Sequence, residues 1–188
     1  MKDKGWKPKL SAMQKLRARY YNTDHEEEHL EQCALMEWAR VYTHRGALEK
    51  RPLSRALQRL FAIPNGGYRM LSTASKLKAE GVRAGVSDLF LAWPVATGRV
   101  VMTDFQNFYS GLWLEMKSRA PSSHLTPRQY DWLRKMEKDY ACAVCYGWEE
   151  GRDYILMYVE GRWPGHTIQS SRPLKYDAEQ ADGVGEDD

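Results

Sequence analysis

Two short apolar runs carry ionisable residues where a buried strand has no use for them. Gly85-Val86-Ser87-Asp88-Leu89-Phe90-Leu91 holds Asp88, and Leu112-Trp113-Leu114-Glu115-Met116-Lys117 holds Glu115 and Lys117. Side chains alternate along a strand with period two, so Glu115 and Lys117 share one face. Charge in apolar surroundings is costly unless it is paired or holds a metal. The three residues therefore read as a centre for metal-assisted hydrolysis of a phosphodiester. A carboxylate from each strand could meet over one divalent cation, with the backbone carbonyl of Met116 as a third oxygen ligand. Hard cations such as Mg²⁺ or Mn²⁺ suit that oxygen-rich shell. Such an ion acidifies bound water and neutralises charge on the scissile phosphate. Lys117 would orient the attacking water, help deprotonate it, or stabilise the pentacovalent phosphate. A structural Glu–Lys pair on a half-exposed strand accounts for the same tripeptide without chemistry, and for Glu-x-Lys alone that reading is the stronger.

The elements that must position these residues follow from pattern. From His25 to Tyr42 the spacing is helical, with Leu30, Cys33, Ala34, Glu37, Trp38 and Val41 three and four apart. Arg51-Pro52 breaks the chain. Leu60-Phe61-Ala62-Ile63 predicts a short strand, ended by the turn signal Pro64-Asn65-Gly66-Gly67. Residues 69–80 read as a polar helix stopped at Gly81, and strands follow at 87–92 and 112–117. The connection at 93–111 exceeds an ordinary hairpin loop. Thr126-Pro127 supplies a cap and first turn for a helix to about Lys138. An apolar strand at 140–146 and an amphipathic helix from Trp148 to Val159 complete the order. Helices interleaved with strands argue an α/β fold, a mixed sheet flanked by helices.

At 188 residues and 43% apolar content, the chain suits one core with tails. Its division is a basic arm at 1–23, a folded domain at 24–160 and a tail at 161–188 that is acidic at its end. Residues 1–19 hold seven Lys/Arg against one Asp, and residues 176–188 hold six acidic side chains and no basic one. Lys4, Lys7 and Lys9 in the arm suit phosphate contacts, while the acidic end reads as a solvated tail. No apolar run is long enough to span a bilayer, and no signal peptide is visible. A soluble, cytoplasmic protein without a membrane partner is expected. Cys33, Cys142 and Cys145 make no disulfide framework. Cys142-x-x-Cys145 has half-zinc-site spacing, but on a strand its sulfurs face opposite sides, so core packing explains them.

Three further sets of polar residues border the pair of strands. Glu28 and Gln32 lie one turn apart on the first helix, where acidic residues are ordinary dipole partners. Gln129, three residues beyond Thr126, is accounted for by a capping box. Arg119, Arg128 and Ser122-Ser123 either touch phosphate or are solvated loop residues.

Taken in order, Glu28-His29-x-x-Gln32, Ile63-Pro64-Asn65-Gly66-Gly67, Gly81-x-x-x-Gly85-x-x-Asp88-Leu89, Leu114-Glu115-Met116-Lys117 and Leu125-Thr126-Pro127-x-Gln129 resemble one family. It is the VRR-NUC (virus-type replication-repair nuclease) group of the PD-(D/E)XK superfamily, especially its stand-alone phage members. The resemblance runs from about Glu28 to Tyr158. It implies a restriction-endonuclease-like core, with Asp88 and Glu115 as metal ligands, Lys117 as the catalytic lysine, Gln129 supporting the site and Glu28 as the first-helix acid. Asn65, Arg119 and Arg128 join the arm lysines as candidate DNA contacts. Ser87 replaces the proline that often precedes the aspartate.

The resemblance implies a Mg²⁺- or Mn²⁺-dependent endonuclease acting on branched or nicked DNA. A phage role in replication, repair or recombination, in the host cytoplasm, goes with it. Two strands to cut suggest a homodimer. The alternative is a non-catalytic DNA-binding protein that keeps the fold; the intact Asp88, Glu115 and Lys117 count against it.

Overall fold

Strand β5 (Leu112–Lys117) runs through the middle of the molecule and is buried at every residue but Trp113. A computed structural model describes residues 24–44, 51–64, 76–96 and 108–174 of the chain. Helix α1 (Asp24–Thr43) comes first, then the short α2 (Pro52–Leu57), β1 (Leu60–Ala62) and β2 (Leu89–Leu91). After β2 come β3 (Val95–Ala96) and β4 (Phe108–Tyr109), then β5, α3 (Pro127–Met136), β6 (Ala141–Tyr146), α4 (Trp148–Val159) and β7 (Ile168–Ser170).

The main sheet has five strands in the order β1-β2-β5-β6-β7. Its first two pairings are antiparallel and its last two parallel, with α3 and α4 carrying the parallel crossovers. The result is the expected α/β architecture, a mixed sheet flanked by helices. Alternation sorts the side chains into two layers. Leu112, Leu114 and Met116 of β5, with Ala141, Ala143 and Cys145 of β6, pack among residues of α1, α2 and α4. Cys142, Val144 and Tyr146 pack on the opposite face with Leu133, Trp132 and Met136 of α3. The two strand cysteines therefore lie on opposite faces, and burial pushes both thiols well above their ordinary pKa.

Helix α1 buries Ala34, Leu35, Trp38 and Ala39. That stripe lies to one side of the predicted face: Leu30, Cys33 and Val41 are only partly buried, and Glu37 pairs with Arg40 at 2.7 Å. The close partner is Gly151 of α4, where an added Cβ would fall 2.7 Å from Leu35. The missing side chain lets the two helices approach.

Four elements lay outside the sequence reading. Helix α2 starts at the Pro52 break, since proline is well suited to a first helical turn. Strand β7, read as tail, pairs with β6 instead. The connection at 93–111 begins and ends in a two-stranded ribbon, β3 with β4. Its ends are held by the Tyr158 hydroxyl, which donates to the carbonyls of Trp93 at 2.6 Å and Tyr109 at 3.3 Å. The basic arm, Asn65 and the acidic end lie outside the described residues. Among the described residues no helix is long and apolar enough to cross a membrane.

Candidate metal centre

Register brings the first two carboxylates together. Leu89 pairs with Leu114 in the antiparallel β2–β5 ladder, so Asp88, one residue before β2, faces Glu115. Asp88 Oδ2 accepts the Met116 N–H at 2.8 Å, which ties the side chain to β5. On the other side the Asp88 carbonyl accepts the Ile63 N–H at 2.7 Å. Both ends of Asp88 are thus fixed by neighbouring strands.

Glu28 reaches the same place from the start of α1. Ligand oxygens of Glu28, Asp88 and Glu115 all lie within 4.8 Å of one another. Glu31, one turn on, points elsewhere. It accepts from Arg119 at 2.6 Å and from the Trp148 N–H at 2.8 Å. Arg119 also pairs with Glu149. The guanidinium offered as a phosphate contact is thus engaged by two carboxylates and joins α1 to the start of α4. Sequence reading missed this anchor, although Glu31 lies three residues from Glu28 and Arg119 two from Lys117.

Lys117 is buried and gives its ammonium protons to Glu115 Oε1 at 2.8 Å, the Met116 carbonyl at 3.0 Å and Glu28 Oε2 at 3.5 Å. An ammonium has three donors, so these contacts use them all. The Met116 carbonyl, proposed as a cation ligand, is here an acceptor for Lys117.

Gln129 serves two neighbours with one amide. Its oxygen accepts the Thr126 N–H at 2.9 Å, and Thr126 Oγ1 accepts the Gln129 N–H at 3.3 Å, closing the capping box. Its nitrogen donates to Glu115 Oε1. The cap that explained Gln129 without function also fixes it against the acidic cluster. The approach needs Gly85, which has φ +85°; a Cβ there would lie 2.7 Å from the Arg128 backbone. Arg128 itself is exposed at the start of α3.

Electrostatics follow from burial. Loss of water raises the Asp88 carboxyl, opposed by Lys117 and by the Met116 N–H. The fully buried Glu115 is pushed up to about 8, Lys117 opposing and the other two carboxylates reinforcing. Burial pulls Lys117 down, but the three carboxylates outweigh it and hold the ammonium well above its ordinary range. Three carboxylates thus face one ammonium. Glu115 Oε2 is buried and has no hydrogen-bond partner among the described residues. An unpartnered buried carboxylate oxygen in an oxygen-only donor set fits a hard divalent cation, with Glu28, Asp88 and Glu115 as its protein ligands.

Fold and donor set together define an α/β domain with an acidic cluster that could hold a divalent cation, and a buried lysine, at the end of its central strands. No protein-family model matches the sequence, and no curated protein matches it. Among solved structures, a VRR_NUC domain protein aligns with a TM-score of 0.49 at 25% identity, over 71% of this chain and 88% of that one.

Proposed function

We propose that the protein is a divalent-cation-dependent DNA endonuclease that hydrolyses phosphodiester bonds. One observation carries the reading. Glu28, Asp88 and Glu115, separated by up to 87 residues in sequence, converge within 4.8 Å around a buried lysine. A half-exposed Glu–Lys pair needs no such convergence and no unpartnered carboxylate oxygen.

A divalent cation held by Glu28, Asp88 and Glu115 would neutralise charge on the scissile phosphate and acidify water beside it. The chain's own residues supply the rest. Lys117, whose ammonium form the surrounding carboxylates favour, donates hydrogen bonds to two of them. It therefore orients the attacking water or stabilises charge building on the phosphoryl oxygens. Its longest contact, 3.5 Å to Glu28, is the one a substrate oxygen would displace at least cost. Gln129 and the Met116 N–H hold Glu115 and Asp88 in their rotamers, so the carboxylates need little reorganisation when substrate arrives.

The order of the five sequence motifs supports the finer terms: Mg²⁺ or Mn²⁺ as the ion and a junction, flap or nicked duplex as substrate. It likewise supports a role in phage replication, repair or recombination, and a homodimer for cutting two strands. The test is incubation with linear, nicked, flap and four-way-junction DNA, with chelator, Mg²⁺ or Mn²⁺. Cleavage should require the ion and favour the branched or nicked forms. Lys117→Ala should abolish it while junction affinity stays nearly intact. Undiminished cutting in chelator rejects the mechanism. Tight DNA binding with no cleavage under any ion supports a non-catalytic binder instead.

A further inference from the structure

Two large apolar side chains are exposed among the described residues: Phe61, 45% exposed, and Phe108. Phe61 is the one beside the acidic cluster. It sits on β1, whose register sets Phe61 opposite Phe90. The Ile63 N–H donates to the Asp88 carbonyl, so Ile63 lies opposite Asp88 and Phe61 is the diagonal neighbour of Asp88 on the same face. Diagonal cross-strand neighbours are about 7–8 Å apart. That distance is about two stacked rises of a nucleic-acid strand, at roughly 3.4 Å each.

The ring is well supported from behind. Phe61 meets Phe90 edge-on at 5.8 Å, Phe90 overlies Trp113 at 4.3 Å, and Trp113 meets Trp132 of α3 edge-on at 5.4 Å. This aromatic row crosses the face of β1, β2 and β5 and ends in the buried layer beneath α3. At its outer end Phe61 is held by strand geometry with much of its surface open to solvent. A flat apolar surface on an edge strand paired with β2, beside a cluster suited to phosphate chemistry, matches the flanking base of the strand being cut. In a continuous duplex that base is already stacked, whereas at a branch, flap or frayed end it is available.

We propose that Phe61 is a stacking platform for an unpaired nucleobase flanking the phosphodiester at the Glu28–Asp88–Glu115 cluster. The inference rests on the nuclease reading and names what selects the substrate: an unstacked base rather than a base sequence. Every nucleobase has a π-face, so the selection is sequence-tolerant.

The experiment measures binding in chelator, so that no DNA is cut. The probes are a flap duplex with an unpaired 2-aminopurine at the branch and a continuous duplex of the same sequence. Stacking on Phe61 should change the 2-aminopurine fluorescence on binding. Phe61→Ala should remove that change and weaken flap binding about fivefold to hundredfold, the range of one base–aromatic stack. Duplex affinity and the melting temperature should hold, and Phe61→Tyr should restore flap binding. Equal loss on both DNAs, or an unchanged fluorescence response in Phe61→Ala, overturns the platform. The two readings fail separately. Cleavage that needs Asp88 but ignores Phe61 sinks the platform alone. A Phe61-dependent response in a protein that never cleaves with any ion sinks the nuclease reading alone.

Discussion

Glu115→Gln should make the cation-free protein more stable while destroying its cation response. Glu115 Oε1 already accepts from Lys117 and Gln129, and a glutamine carbonyl can accept both. The new amide nitrogen takes the place of Oε2, which has no partner among the described residues, and there it can donate to Asp88 or Glu28. Burial raises the Glu115 carboxyl from an ordinary 4.5 to about 8. A raised folded-state pKa contributes stability that is full below the unfolded value and lost as pH rises through the folded one. Moving an acid that far corresponds to roughly 5 kcal/mol for holding the charge above pH 8. Lys117 loses part of its counter-charge in the variant, so the net gain at pH 8 should be about 1–3 kcal/mol, within the range for replacing buried ion pairs. Well below pH 4.5 the gain should vanish, because Glu115 is then protonated in both states. Urea unfolding in chelator at pH 5 and pH 8 reads the difference directly. Saturating Mg²⁺ or Mn²⁺ should stabilise the parent by about 2.7 kcal/mol at a hundredfold excess over Kd and leave the variant unmoved. A variant destabilised equally at both pH values would refute this account of the site.

The other predictions concern neighbours of Glu115. Glu28→Gln should reduce cleavage at least a hundredfold, whereas Glu27→Gln should be near neutral; steady-state assays on one junction substrate decide, and equal losses would remove the distinction. Gly85→Ala should lower kcat by displacing α3 and Gln129 with it, because a Cβ there meets the Arg128 backbone at 2.7 Å; unchanged kcat and melting temperature would mean the loop yields freely. Native-state alkylation should label Cys33 alone, since Cys142 and Cys145 are buried and held as thiols; mass spectrometry showing either strand cysteine modified before unfolding would contradict the packing.

The parts of this fold that could be read beforehand are those written in a local period or cap. Helix α4 (Trp148–Val159) lies where its amphipathic spacing put it, and the Thr126-Pro127 cap opens α3. The two short elements at residues 52–57 and 168–170 escaped because neither is long enough for a period to show; each is specified by what it packs against. The burial of α1 was displaced for a related reason. Apolar spacing alone weighted Leu30 and Val41, but the space left by Gly151 draws Leu35 inward. Charged residues inside apolar strands made Asp88, Glu115 and Lys117 visible. That Arg119 would be taken by Glu31 and Glu149 was not legible, since a surface arginine carries no mark of its partner.

The alternation of β5 has a consequence for how this protein can change over time. Even-numbered residues of the strand, Leu112, Leu114 and Met116, belong to the apolar layer under α1 and α4, while Glu115 and Lys117 project to the other side. The apolar and charged sets are therefore kept apart by parity alone. One inserted or deleted residue between Leu112 and Leu114 would flip the residues that follow it, driving both charges into the oily layer and turning Leu114 and Met116 outward. Two residues would restore the faces but slide Glu115 past Asp88. Length variation is barred within the strand and at the step into Asp88, yet the ribbon between them can lengthen without altering either count. The protein is thus free to acquire new loops at the far end of these strands from Asp88 and Glu115, but the six residues of β5 admit change only by substitution.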